Sequence, residues 1–190
     1  MKKIIIGAIV GGIIIFICQT LSWTILDLHR PANEYHPKQD EIMTFLNSHF
    51  NEDGGFYLPN TPPGSSSEVM QDYMKQAEGK PWALISYHKK MEMNMGMNIF
   101  RALIVDMLMV GLFCWILSRF ANPKFSNVLI ASLLMGMIAF LNFPYAVHIW
   151  YDTFDLGASL IDALAGWGLA GLWLGWWYGR NTTRVNVTVR

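Results

Sequence analysis

Hydrophobic positions are arranged along this chain in two styles. Four long stretches are apolar on every side of a helix: residues 4–26, 99–117, about 128–147 and about 156–178. Each is close to the ~20 residues that cross a hydrocarbon core at ~1.5 Å rise per residue. Between the first two stretches the pattern changes, and apolar residues recur at helical spacing among polar ones. DEIMTFLNSHF sets Ile42, Phe45, Leu46 and His49 on one side of a helix, with Phe50 adjoining. NEDGGFYLPNTPPGSSS follows and reads as a loop, because Gly-Gly, Pro-Pro and Pro-Gly interrupt regular structure. Ser65 and Glu68 then stand in capping-box spacing ahead of a second helix, whose buried face would carry Val69, Met70, Tyr73, Met74 and Ala77. WALISYH is the best strand candidate, but it lacks an obvious partner.

These elements predict an all-α membrane protein with four transmembrane helices and a small, mostly helical extracytoplasmic cap between helices 1 and 2. The expected divisions are an anchor helix over 1–26, a cap segment over 27–98, a three-helix region over 99–178 and a cytoplasmic tail over 179–190. The first stretch follows Lys2 and Lys3, is too long for a signal peptide and has no A-x-A-like cleavage site, so it reads as an uncleaved anchor. About 70 residues with two short amphipathic helices sit near the lower limit for an independent core, hence a cap rather than a free domain.

Composition agrees: the 190 residues are 53% hydrophobic and 15% charged, against about 25% charged in soluble domains. Charge distribution adds a direction. Lys2 and Lys3, then Arg119 and Lys124, then Arg180, Arg184 and Arg190 flank the stretches at one end. The turn HIWYDTFD at the other end carries two acids and no Lys or Arg. The positive-inside rule makes the first side cytoplasmic, so both termini face the cytoplasm of an inner-membrane-type bilayer. Trp23 and Trp150 mark the outer interface; Trp115, Trp173, Trp176 and Trp177 mark the inner one. Gly7-x3-Gly11, Ala8-x3-Gly12 and Gly171-x3-Gly175-x3-Gly179 allow close helix approach. Cys18 and Cys114 fall at different depths, too far apart to bridge.

Chemistry is sparse. No P-loop, H-E-x-x-H, G-x-S-x-G or helix-opening G-x-G-x-x-G occurs in the sequence. Asp106 lies about seven residues, or ~10 Å, inside its span. Asp162 and Asn142 lie at comparable depth in theirs, with Gln19, Thr20 and Ser22 in the first, and Arg101 heads the second from outside. Acids are costly in hydrocarbon and should face the interior or water. Asp106, Asp162, Asn142, Gln19 and Arg101 therefore form a candidate outward polar layer. It reads either as a structural clasp, with Arg101 paired to Asp162, or as a site for a small ligand or cation; the clasp is favoured. All five histidines fall on the predicted outer side, without zinc-like spacing. In KKMEMNMGMNIF, the thioethers of Met91, Met93, Met95 and Met97 beside His88 suit Cu(I), whereas adaptable packing explains the run more simply.

The expected role is therefore non-enzymatic: interaction, assembly or structural support in the membrane. The runner-up is outward binding or transport of a small ligand or cation. The lipid bilayer is one partner, another membrane protein or further copies of this chain are the others, and no nucleic acid is expected.

Overall fold

Lys2–Thr24 forms the first helix, α1, because an unbroken apolar run in hydrocarbon must satisfy its backbone internally. After a short 3-10 turn, the order is α2 (Gln39–His49), β1 (Gly54–Leu58), α3 (Ser67–Ala77), β2 (Ala83–Tyr87), α4 (Met95–Leu117) and α5 (Phe125–Phe140). A π-helical turn (Leu141–Tyr145), α6 (Ala146–Trp150) and α7 (Leu156–Gly179) follow. This computed structural model describes residues 1–179. The expected cytoplasmic tail, with Arg180, Arg184 and Arg190, lies outside the described residues from 180 on. Among the described residues, four helical stretches are long and apolar enough to cross a membrane: Lys2–Thr24, Met95–Leu117, Phe125–Trp150 and Leu156–Gly179.

The chain divides into two compact units, Met1–Glu34 with the chain from residue 94 onward, and Tyr35–Met93. In the first, α1 packs on α4 and α7, and α7 packs on α5. Small residues set the approach. A Cβ on Gly12 would lie 2.6 Å from the Met107 Cα, and one on Gly11 would lie 2.7 Å from a Val110 methyl. Gly171 and Gly175 meet Ser132 and Phe125 in the same way, whereas a Cβ on Gly157 would meet nothing within 4 Å. The small-residue stripes are thus used within the chain. The buried centre holds Ile15, Val110, Phe113, Trp167 and Leu174. Ser132 donates a buried hydrogen bond to the Trp167 carbonyl at 2.6 Å. At one end Lys3 Nζ donates to the Tyr178 carbonyl at 3.2 Å, so the starts of α1 and the finish of α7 meet there. Cys18 and Cys114 are free thiols. Cys114 Sγ lies at the level of Gly7, eleven residues (about 16 Å) along α1 from Cys18.

The third span is not one regular helix. Pro144 cannot donate to the helical ladder, and the turn around it opens to π geometry before α6 resumes.

In the Tyr35–Met93 unit, three expectations are corrected. GGFYL is not loop but strand β1, paired antiparallel with β2 in the register Gly54↔Tyr87 to Leu58↔Ala83. The partner of β2 therefore came from a stretch whose glycines and prolines signal turns, and the chain is mostly helical rather than all-α. The α3 cap is Ser66, not Ser65: its side chain accepts the Val69 N–H at 3.3 Å. Finally, Val69, Met70, Tyr73 and Met74 are exposed rather than buried. The unit centres instead on Tyr87, which is buried against Phe50 and donates its hydroxyl hydrogen to Asn47 at 2.8 Å.

Candidate functional site

The chain leaving α1 turns back sharply. Asp27 adopts φ +49°, and the Leu28 N–H closes onto the Ser22 carbonyl at 3.0 Å. Asp tolerates this left-handed geometry better than most residues. The turn delivers His29 to the end of the helices where α1 finishes and α7 begins, with its ring stacked 4.0 Å from that of Trp23 at an interplanar angle of 5°.

There His29 bridges two acids. Nδ1 lies 2.7 Å from Asp155 Oδ2 and Nε2 lies 3.0 Å from Asp162 Oδ2. Asp155 immediately precedes α7, where its carbonyl accepts the Ser159 N–H and its charge faces the positive end of the helix dipole. Asp162 follows seven residues later, two turns along, and so points the same way. This geometry suits an imidazolium, whose two N–H groups can each donate to a carboxylate oxygen. Burial opposes that charge, but the hydrogen bonds and charges of the two acids outweigh it and hold the His29 pKa above its ordinary value. The arrangement is a three-residue clasp joining the segment after α1 to the head of α7.

Deeper in the same unit, Asp106 is 2% exposed and heads the buried stripe of α4 that continues through Val110 and Phe113. Among the described residues its Oδ2 has no hydrogen-bond partner, nor does the buried Ser22 Oγ. Gln19 is half-buried on α1.

Two of the residues expected in the layer are placed elsewhere. Arg101 lies exposed on α4 and does not pair with Asp162. It is α1 that borders α7, so the chain leaving α1 brings the counter-charge, and His29 takes the role expected of Arg101. Asn142 is exposed in the π turn. His29 and Asp155 were not singled out by sequence. The seven-residue spacing of Asp155 and Asp162 was the available signal, but the return of the chain at Asp27 was not readable.

The methionine run is divided. Met91 and Met93 belong to the Tyr35–Met93 unit, whereas Met95 and Met97 form the first turn of α4, where Asn94 accepts the Met97 N–H at 3.0 Å. Two residues apart on a helix are ~200° apart, so Met95 and Met97 do not share a face. All four thioethers are exposed. His88 and Met91 line an open cavity of about 750 Å³ with Met43 and Asp53. Both His88 nitrogens approach protein oxygens, Nδ1 at 3.5 Å from Asp53 and Nε2 at 3.3 Å from Ser86. Asp53 also accepts the Lys89 backbone N–H at 2.9 Å, which holds its carboxyl below the usual range.

The chain matches no protein-family model, no curated protein and no solved structure.

Proposed function

We propose that this is a multi-pass protein of a cytoplasmic-type (inner) membrane whose role is interaction, assembly or structural support rather than catalysis. In this reading the four apolar helices form a bundle, both termini face the cytoplasm, and the Tyr35–Met93 unit is an extracytoplasmic cap. The observation that carries it is the clasp. Asp155 and Asp162, at the head of α7, are taken up by His29 in fastening one chain segment to another. Such bonding supports a structural use of the polar layer.

A second reading, outward binding of a small ligand or cation, is favoured by one observation: Asp106 Oδ2 and Ser22 Oγ are buried without a hydrogen-bond partner among the described residues. Buried polar groups ordinarily have a partner, and an ion or water fills the place where protein does not.

One experiment separates the two. Asp162→Asn and Asp106→Asn are each expressed, extracted in mild detergent and followed for folded yield, bound small molecules and partner chains. The assembly reading expects Asp162→Asn to lower folded yield, and the wild-type chain to elute in a constant stoichiometry with a partner or with itself. A monomer that carries an ion lost in Asp106→Asn, with folding intact, overturns it in favour of the binding reading.

A further inference from the structure

The α3 helix resolves its sequence into two faces that the fold leaves uncovered. Val69, Met70, Tyr73 and Met74 form one side, and Glu68 and Asp72 lie opposite. Met70 is 43% exposed and Met74 53%. Beside them the strands add aromatic surface: Tyr57 of β1 and Trp82, just before β2, have ring centroids 5.9 Å apart, and Trp82 is 45% exposed. Met70, Met74, Tyr57, Trp82 and Pro59 line an open, mostly apolar groove of about 630 Å³, which Lys75, Lys80 and Glu78 also border. Lys75 also approaches Asp72 at 3.7 Å on the helix surface.

Three features identify what this face meets. First, the unit is tethered to membrane-spanning helices at both ends. Residues 25–34 separate it from α1, and Asn94 alone separates Met93 from the first residue of α4. Ten extended residues reach at most ~35 Å, and a unit of this length has a radius of gyration of about 10 Å. It therefore stays within reach of the same bilayer. Second, a short helix with a broad apolar face, a charged opposite face and low overall hydrophobicity is the kind that lies in the plane of an interface. Third, Trp and Tyr beside lysines match the layered chemistry of that interface. Amphipathic rings sit at headgroup level, and lysine stems run along apolar surface to put the ammonium at phosphate.

We propose that α3 and the adjoining Tyr57–Trp82 surface are a membrane-contact face, seated on phospholipid of the leaflet where α1 ends and α4 begins. The inference rests on the four-span reading above and adds a partner for the unit between the first two spans: lipid headgroups and the upper acyl chains, rather than a second protein.

Nitroxide labels on single cysteines test this in the full chain reconstituted into phospholipid vesicles. The background carries Cys18→Ala and Cys114→Ala, and each variant is checked by size exclusion before reconstitution. Labels at Met70→Cys and Met74→Cys should relax with oxygen and be shielded from a water-soluble nickel chelate. Labels at Glu68→Cys and Asp72→Cys should show the reverse, with a several-fold difference in accessibility ratio. Leu108→Cys, exposed on α4, is the reference for lipid. If positions 70 and 74 are as open to nickel as 72, the face is in water and the proposal fails. If they are shielded from both agents, protein covers the face and the proposal fails in favour of a chain partner. If Leu108→Cys itself is open to nickel, the four-span reading fails, and that outcome is distinct from the other two.

Discussion

The two units of this protein both expose apolar side chains, and they do so for different reasons. On α4, Leu108 and Leu112 are each 61% exposed, but beyond the exposed Arg101 the helix is apolar on every exposed side, and its buried stripe includes the one acid, Asp106. There the exposed surface is continuous with what a bilayer core would cover, and polarity is confined inside. On α3 the exposed residues Met70 and Met74 share a helix with Glu68, Asp72 and Lys75, so apolar and charged faces coexist. The first pattern suits immersion and the second suits a boundary. Exposure alone does not distinguish them; what occupies the rest of the helix does.

Packing differs in the same way, and the largest expected effect tests it. In the helical unit, cohesion rests on backbone approach at small residues, without a hydrophobic drive between helices in lipid. Gly12→Leu would thrust a side chain into the Met107 backbone, which cannot step aside as a flexible side chain can. Overpacking of this kind costs about 1–3 kcal/mol, and this site belongs at the upper end or beyond. Gly157→Ala, where an added methyl would meet no atom within 4 Å, should stay within about 0.5 kcal/mol of wild type. Unfolding of the detergent-solubilised protein checks both; equal behaviour of the two variants would remove close approach as the cohesive device.

Next in size is the clasp. His29→Ala leaves Asp155 and Asp162 without their shared donor, a loss of about 1–3 kcal/mol. Because the folded pKa of His29 is raised, the clasp contributes fully below the ordinary histidine value of about 6.5 and fades as pH climbs through the folded value. Stability of the wild-type protein should therefore fall with rising pH above about 6.5, and the His29→Ala variant should lose that component. A variant with the same pH slope as wild type would place the titration elsewhere.

How far the sequence disclosed all this follows from the range of the interactions involved. The four spans were legible because an apolar run needs no partner to declare itself, and α4 and α7 fall within a few residues of expectation. The π turn was not, since Pro144 sits in a stretch as apolar as its neighbours. β1 was hidden because Gly54, Gly55 and Pro59 carry turn signals, while its pairing with β2 spans roughly thirty residues of chain. At the candidate site, the depth of Asp106 and Asp162 was readable from helical rise. Their partners were not: one tight turn at Asp27 determines that His29, rather than Arg101, meets Asp162.

The smallest effects sharpen the contrast between the units through matched deletions of one hydroxyl. Ser132→Ala removes the bond to the Trp167 carbonyl, and Tyr87→Phe removes the bond to Asn47. Interhelical hydrogen bonds in membranes average about 0.6 kcal/mol, and the Trp167 carbonyl lies within α7, where the helix supplies its own donors. Asn47 is exposed and can turn to water, so Tyr87→Phe forfeits only the net value of a bond exchanged with solvent, about 0.5–1.5 kcal/mol. The two losses should be similar in size but separable by location. Ser132→Ala should lower resistance of the helices to unfolding and leave proteolysis of the Tyr35–Met93 unit unchanged, and Tyr87→Phe should do the opposite. If either substitution loosened both units together, they would be one cooperative body, and the division into an immersed part and a boundary part would lose its energetic basis.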